Sequence, residues 1–297
     1  MAKFIITADS ACDCALDELK SKNVSIIFFN YSDGTKTYTD TMDEKNYKQF
    51  YLDMKNGTVF KTSQINPQEY YDFFKSLIGQ NLPIIHISLG SGVSNTINSI
   101  YIASSMLKDE NPNVDIRPID SKLASSGLTL LINKLVEFRD NQLTADEAQE
   151  KIMYYVEHLN TFYTTDTLTY FARGGRLSKV EAFLGNALKI NPILDCNPAG
   201  NLRIVEKVRG ANKALEQLIR RVKYQVENPQ EQILLICHAD NEQRSIDLGE
   251  RLVKEVGFKD YKLYFMGPII GAHTGPGLIS VYFFGKPREN EIKSLNR

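Results

Sequence analysis

The chain has 297 residues, 42% hydrophobic and 24% charged, proportions that exclude a disordered, collagenous or coiled-coil protein. At roughly 150 residues per domain this length suits two domains or one large one. A balance of 35 Lys and Arg against 36 Asp and Glu leaves a formal charge of -1, so there is no general attraction for nucleic acid or for an anionic membrane.

Strands and helices alternate from the start. Phe4–Thr7 reads as a buried strand ending at Asp9-Ser10, and a helix follows through Leu16–Leu19. Val24–Phe29 is a second strand, and Asp33-Gly34 carries a hairpin signal. A helix runs through Tyr47, Phe50 and Met54 to Gly57, and Asn66-Pro67 sets a cap and a first-turn proline before a helix over Tyr70–Leu77. Pro83–Ser88, Thr96–Leu107, Val114–Ile119 and Leu123–Phe138 read as strand, helix, strand and long apolar helix. Thr144 with Glu147 forms a capping box that opens a helix ending near Leu159. This order implies a mainly parallel sheet covered on both faces.

The pattern changes after about residue 160. A short Thr/Tyr-rich segment leads into Leu168–Leu177 and a helix through Val180–Leu188. Pro192–Cys196, the turn Asn197-Pro198-Ala199-Gly200 and Leu202–Val208 read as an antiparallel hairpin. Helices over Ala211–Val226 and Arg244–Val256 flank a strand at Ile233–Cys237. Leu263 to Gly285 carries no Asp, Glu, Lys or Arg over 23 residues, but its five glycines and two prolines would break a lipid-exposed helix. It reads as strands Leu263–Met266 and Leu278–Phe284 joined by an uncharged functional loop. The expectation is an α/β protein of two α/β domains, residues 1–160 with a mainly parallel sheet and 161–297 with a mixed one.

Four cysteines, Cys12, Cys14, Cys196 and Cys237, are too few for a disulfide scaffold, and no C-x-x-C pair supplies zinc or redox spacing. The N-terminal run meets Asp9 too early for a signal peptide, which points to a cytoplasmic protein with reduced thiols.

Four windows carry chemistry, and one of them, Thr62-Ser63-Gln64, precedes a capped helix and adds hydroxyl donors, though it also reads as an ordinary loop. Ser88-Leu89-Gly90-Ser91-Gly92-Val93-Ser94-Asn95-Thr96 lies between a strand and a helix, where open α/β sheets bind ligands. Free backbone N–H groups and hydroxyls there suit an anionic head group. As a dinucleotide fingerprint the window has Asn95 in place of the third glycine, and as a nucleophile elbow it lacks its last glycine. Ser94 with Asp195 or Asp240 and His273 keeps the chain order of an α/β-hydrolase, so a serine hydrolase of acyl esters stays open as the alternative. No G-x-x-x-x-G-K-[ST] segment supplies a nucleotide site. Arg173-Gly174-Gly175-Arg176 sets two guanidiniums around a diglycine that also suits a helix C-cap. In His273-Thr274-Gly275-Pro276-Gly277 small residues let backbone approach a ligand. His86, His238, Tyr154 and Tyr155 read as core, and His158 as helix surface.

Seven windows in order resemble the DegV family: Thr62-Ser63-Gln64, Gly90–Thr96, Asp120-Ser121, Gly174-Gly175-Arg176, Lys189–Leu194, Lys207–Gly210 and Gly267–Gly277. The resemblance spans Asp9 to about Gly285. It implies two domains with a long-chain fatty acid buried between them, in a bacterial carrier that has no catalytic residue, cofactor or metal of its own. A separate fatty-acid kinase would phosphorylate the bound carboxylate to an acyl phosphate for phospholipid synthesis. By the same resemblance Thr62 and Ser94 are the head-group ligands, with Arg176 and His273 near the carboxylate. The chain departs from the family pattern at Ile65, where proline is usual, and in reading Gly-Ser-Gly-Val-Ser-Asn-Thr for Ser-Ser-Gly-Leu-Ser-Gly-Thr.

Overall fold

The computed structural model describes residues 3–176 and 190–291. In chain order the first half comprises β1 (Ile5–Asp9), α1 (Leu16–Ser21), β2 (Val24–Ile27), β3 (Asn30–Ser32), β4 (Thr37–Thr39), α2 (Tyr47–Lys55), β5 (Lys61–Ser63), α3 (Pro67–Lys75), β6 (Ile84–Ser88), α4 (Thr96–Glu110), β7 (Ile116–Asp120), α5 (Ser126–Asp140) and α6 (Ala145–His158). The rest comprises β8 (Leu159–Thr164), α7 (Thr169–Gly174), β9 (Ile190–Cys196), β10 (Leu202–Arg209), α8 (Ala211–Gln225), β11 (Ile233–His238), α9 (Glu242–Val256), β12 (Asp260–Phe265), α10 (Pro268–Thr274) and β13 (Ile279–Phe284).

The first sheet runs β2-β1-β6-β7 and every pair in it is parallel. Successive β1 side chains enter opposite cores, as the pleat requires. Ile6 and Ala8 pack with Leu128, Leu131 and Leu135 of α5, while Ile5 joins Tyr70, Phe74 and Ile100 of α3 and α4. Both faces are therefore covered. Strand order reverses between β1 and β6, which opens a crevice at their carboxyl ends. Asp9 braces that point: its carboxylate accepts from Leu89 N at 2.8 Å and Ala11 N at 3.2 Å. Burial pushes its pKa up to about 7. A small antiparallel sheet, β4-β3-β5, stands beside it and carries Thr62.

The second sheet is mixed, in the order β10-β9-β8-β13-β11-β12, with only β11 and β12 parallel among its pairs. Its outer face packs Phe162, Ile193, Ile236 and Val281 on α8 and α9; its inner face turns Tyr163, Leu194, Cys237 and Tyr282 toward the first half.

Several sequence expectations need correction. The Thr/Tyr-rich segment is strand β8, because Thr161 and Tyr163 face inward while Phe162 enters the outer core. Within the Leu168–Leu177 segment helix α7 covers Thr169–Gly174, and the helix expected through Val180–Leu188 lies outside the described residues. The supposed loop between the last two strands contains helix α10, with Pro268 at its first position. Tyr154 is 56% exposed and stacks on His158 instead of packing in a core. The four cysteines are buried and free, and no described helix is long and apolar enough to cross a membrane.

Candidate functional site

A pocket of about 490 Å³ lies between the inner face of the second sheet and the carboxyl end of the first. Its apolar wall draws on Phe29, Leu89, Val93 and Leu123 from the first half and on Phe171, Leu202, Met266, Ile269, Ile270 and Leu278 from the second. Thr62, Ser94, Arg176 and His273 all line it, joined by Ser63, Gln64, Ser91 and Asn95. Arg176 is the one charged residue among the described lining residues. The fold thus brings together all four residues that the sequence singled out, from four separate segments.

Each is positioned by local chemistry. Thr62 leaves β5 and its hydroxyl is hydrogen-bonded to His273 Nε2 at 2.7 Å. The Nδ1 of that ring is buried without a partner, and a Cβ added at Gly174 would lie 2.5 Å from it. The diglycine thus has a steric role: Gly174 lets α7 press against the imidazole while Gly175 caps the helix at φ 66°. On the other side, a Cβ at Gly271 would meet the Tyr51 hydroxyl at 2.4 Å, so that glycine lets α10 seat against α2. Burial, with the nearby Arg176 guanidinium second, lowers the His273 pKa to about 4. The imidazole is neutral at pH 7, and Arg176 supplies the positive charge. Arg176 is exposed and its Nε donates to Val93 O at 3.3 Å.

The 89–96 segment does not offer the cradle of free amides expected of it. Gly90 N donates to Leu123 O, Ser91 N to the Asp120 carboxylate, Val93 N and Ser94 N to Gly90 O, and Thr96 N to Ser94 Oγ. With those amides committed, the segment offers a carboxylate its side-chain groups and the amides of Gly92 and Asn95. Asn95 sits at φ -94°, outside the left-handed region, so the change from glycine costs nothing in backbone terms. Gln64 Nε2 ties the segment down, donating to Asn95 O at 3.0 Å and Ser99 Oγ at 2.9 Å. Ile65, 3% exposed, packs into the core beside Phe29 and Tyr70.

The acyl-ester hydrolase arrangement is not formed. Ser94 makes no hydrogen bond to His273, whose Nε2 is held by Thr62. Asp195 is engaged by Arg203 at 2.6 and 3.0 Å, and Asp240 pairs with Lys55. Sequence reasoning missed Thr161 and Tyr163 of β8 and Ser280 and Tyr282 of β13, all of which line the pocket. For β8 the signal was composition, the run of β-branched and aromatic residues Thr161-Phe162-Tyr163-Thr164. Among the described residues no cluster of His, Cys, Asp or Glu suits a metal ion.

Fold and site together define an α/β protein whose pocket, between its two larger sheets, combines apolar walls with hydroxyls, one neutral histidine and one arginine. The family described as "Uncharacterised protein, DegV family" matches residues 3–286, and the chain belongs to it. A DegV domain-containing protein of Clostridium perfringens is 30% identical over 290 residues, covering 97% of this chain and all of that protein. A solved DegV lipid binding protein from Thermotoga maritima shares 25% identity at a TM-score of 0.83, over 97% of this chain and 100% of that one. The DegV family protein of Ruminococcus gnavus, solved with vaccenic acid, has the same fold at a TM-score of 0.86 and 24% identity, over 95% of this chain and 100% of that one.

Proposed function

We propose that this protein binds a long-chain fatty acid between its two halves and presents the carboxylate to a separate fatty-acid kinase, which forms an acyl phosphate for phospholipid synthesis. The observation that carries the reading is the polarity of the pocket. Its walls are apolar, and Thr62, Ser94, His273 and Arg176 all line it. Burying about sixteen carbons supplies on the order of 10 kcal/mol gross at ~0.8 kcal/mol per CH₂. Each hydroxyl contact adds only ~1 kcal/mol net. The tail therefore gives affinity, and the hydroxyls orient a carboxylate that no strong ion pair locks away. The lipid binding protein of Thermotoga maritima and the vaccenic acid of the Ruminococcus gnavus relative agree with this reading.

Presentation is supported by a second cavity of about 250 Å³, which shares Thr62, Arg176 and His273 with the pocket and adds Lys61 and Arg173. A phosphate arriving from that side would meet three cations. The protein itself contributes binding and alignment, with His273 donating to the carboxylate or holding it in line for the γ-phosphate. The test uses delipidated protein with the cognate kinase and ATP. Arg176→Ala keeps most lipid affinity but loses acyl-phosphate formation, while His273→Ala lowers both, transfer more than binding. Full turnover by a folded Arg176→Ala protein would end the claim that this residue serves transfer.

A further inference from the structure

The pocket has a second polar region that the head group does not use. In the antiparallel ladder of β8 and β9, Thr164 pairs with Ile193 and Tyr163 with Leu194, and the pairing stops there. Two more steps would set Thr161 opposite Cys196, but the strands have parted. A cavity of about 50 Å³ sits at that slot, and Thr161 and Cys196 line both it and the main pocket. It takes residues from both faces of the sheet, Phe162 and Asp195 among them, and shares none with the Thr62–Arg176–His273 group.

The slot is lined by the donors Arg203, Arg221 and Arg288 and also by the acids Asp195, Glu289 and Glu291. Arg203 is held by Asp195 and Arg221 by Glu206, at 2.8 and 3.2 Å for the latter. Arg288 differs: its terminal nitrogens donate to the carbonyls of Lys122 and Val156, and its Nε is buried with no hydrogen-bond partner. The Thr161 hydroxyl is likewise buried and unpartnered. Buried donors in folded proteins are almost always satisfied, and two orphans at one slot mark a place made for an acceptor. A hydrocarbon end would leave both unsatisfied. The volume admits one or two small polar groups.

Resting on the fatty-acid reading, we propose that the slot receives an oxygen function at the far end of the acyl chain, so that the preferred ligand is an ω-hydroxy acid or an α,ω-dicarboxylic acid. Thr161 and Arg288 would then be its ligands, and neither belongs to the head-group set. A hydroxyl would lean on Thr161, and a second carboxylate on Arg288.

The test is calorimetric titration of the delipidated full chain with hexadecanoic, 16-hydroxyhexadecanoic and hexadecanedioic acids, together with their C14 and C18 counterparts. At one or more chain lengths an ω-oxygenated acid should bind about fivefold tighter, or better, than the plain acid. Thr161→Val and Arg288→Met should each bring that ratio toward one. Thr161→Val keeps the side-chain shape and carries the test if Arg288→Met fails to fold. Plain acids that bind as well as their ω-oxygenated forms at every length would overturn the inference and leave the fatty-acid reading standing. Binding of none of these acids would overturn both.

Discussion

Gly92→Ala tests whether the two halves meet as closely as the pocket requires. A Cβ at this position would lie 2.2 Å from both the carbonyl carbon and oxygen of Gly200 and 2.6 Å from Asn201 N. Comfortable carbon contacts begin near 3.5 Å, so the overlap exceeds an ångström. All three atoms are backbone, and no side chain can swing aside. The 197–201 turn must therefore lift away from the 89–96 segment, carrying Cys196 and Leu202 of the pocket wall with it. Overpacking of this kind costs about 1–3 kcal/mol, and a rigid neighbour places this case at the upper end. For a chain of this size ~3 kcal/mol corresponds to roughly 5 °C in melting temperature. Scanning calorimetry and fatty-acid titration on the same preparation measure both effects, and affinity should fall with stability. Gly79→Ala is the control, since a Cβ there meets nothing within 4 Å. A Gly92→Ala protein that melts with the wild type and binds lipid equally well would refute the close approach.

Two further outcomes follow from the site and its braces. Thr62→Ala and Ser94→Ala should each weaken fatty-acid binding by ~1–2 kcal/mol, and Thr62 with His273 should be non-additive because they share a hydrogen bond; unchanged affinity in both single variants and the double variant would remove them from the site. Asp9 has a folded pKa of about 7 against an unfolded value near 4, so the native state holds the extra proton and stability is lost as pH rises through that window. Asp9→Asn should accordingly gain on wild type by a few kcal/mol between pH 4 and pH 8; an equal difference at the two pH values in urea titrations would contradict a buried, cation-free carboxyl.

Local signals in the sequence were legible where one residue's chemistry decides the outcome. Asn66-Pro67 opens α3, and there Asn66 and Glu69 exchange bonds at 3.0 and 2.7 Å. Thr144 and Glu147 open α6 in the same way. Strand β8 escaped notice because its inward face lines a pocket: Thr161 and Tyr163 replace the apolar residues that reveal a core strand, and the period is lost. Helix α10 was obscured by glycines whose purpose is contact. Gly271 answers Tyr51, and a Cβ at Gly275 would lie 2.0 Å from the Tyr170 ring. The four site residues stood out in their own windows, but the bond between Thr62 and His273, 211 positions apart, exists only once the halves pack. For the same reason the committed amides of the 89–96 segment were invisible: their acceptors include Asp120, at the end of β7, and Leu123, in the loop before α5, which only the fold brings alongside.

Everything proposed for this protein turns on a fatty acid in the pocket of about 490 Å³ between the halves. Solvent extraction of the purified protein followed by mass spectrometry addresses it most directly. Close to one fatty acid per chain is expected, lost when Leu202 and Ile270 in the pocket wall are both replaced by Asp. A protein that carries no lipid as purified and takes up none after incubation with long-chain acids would contradict it.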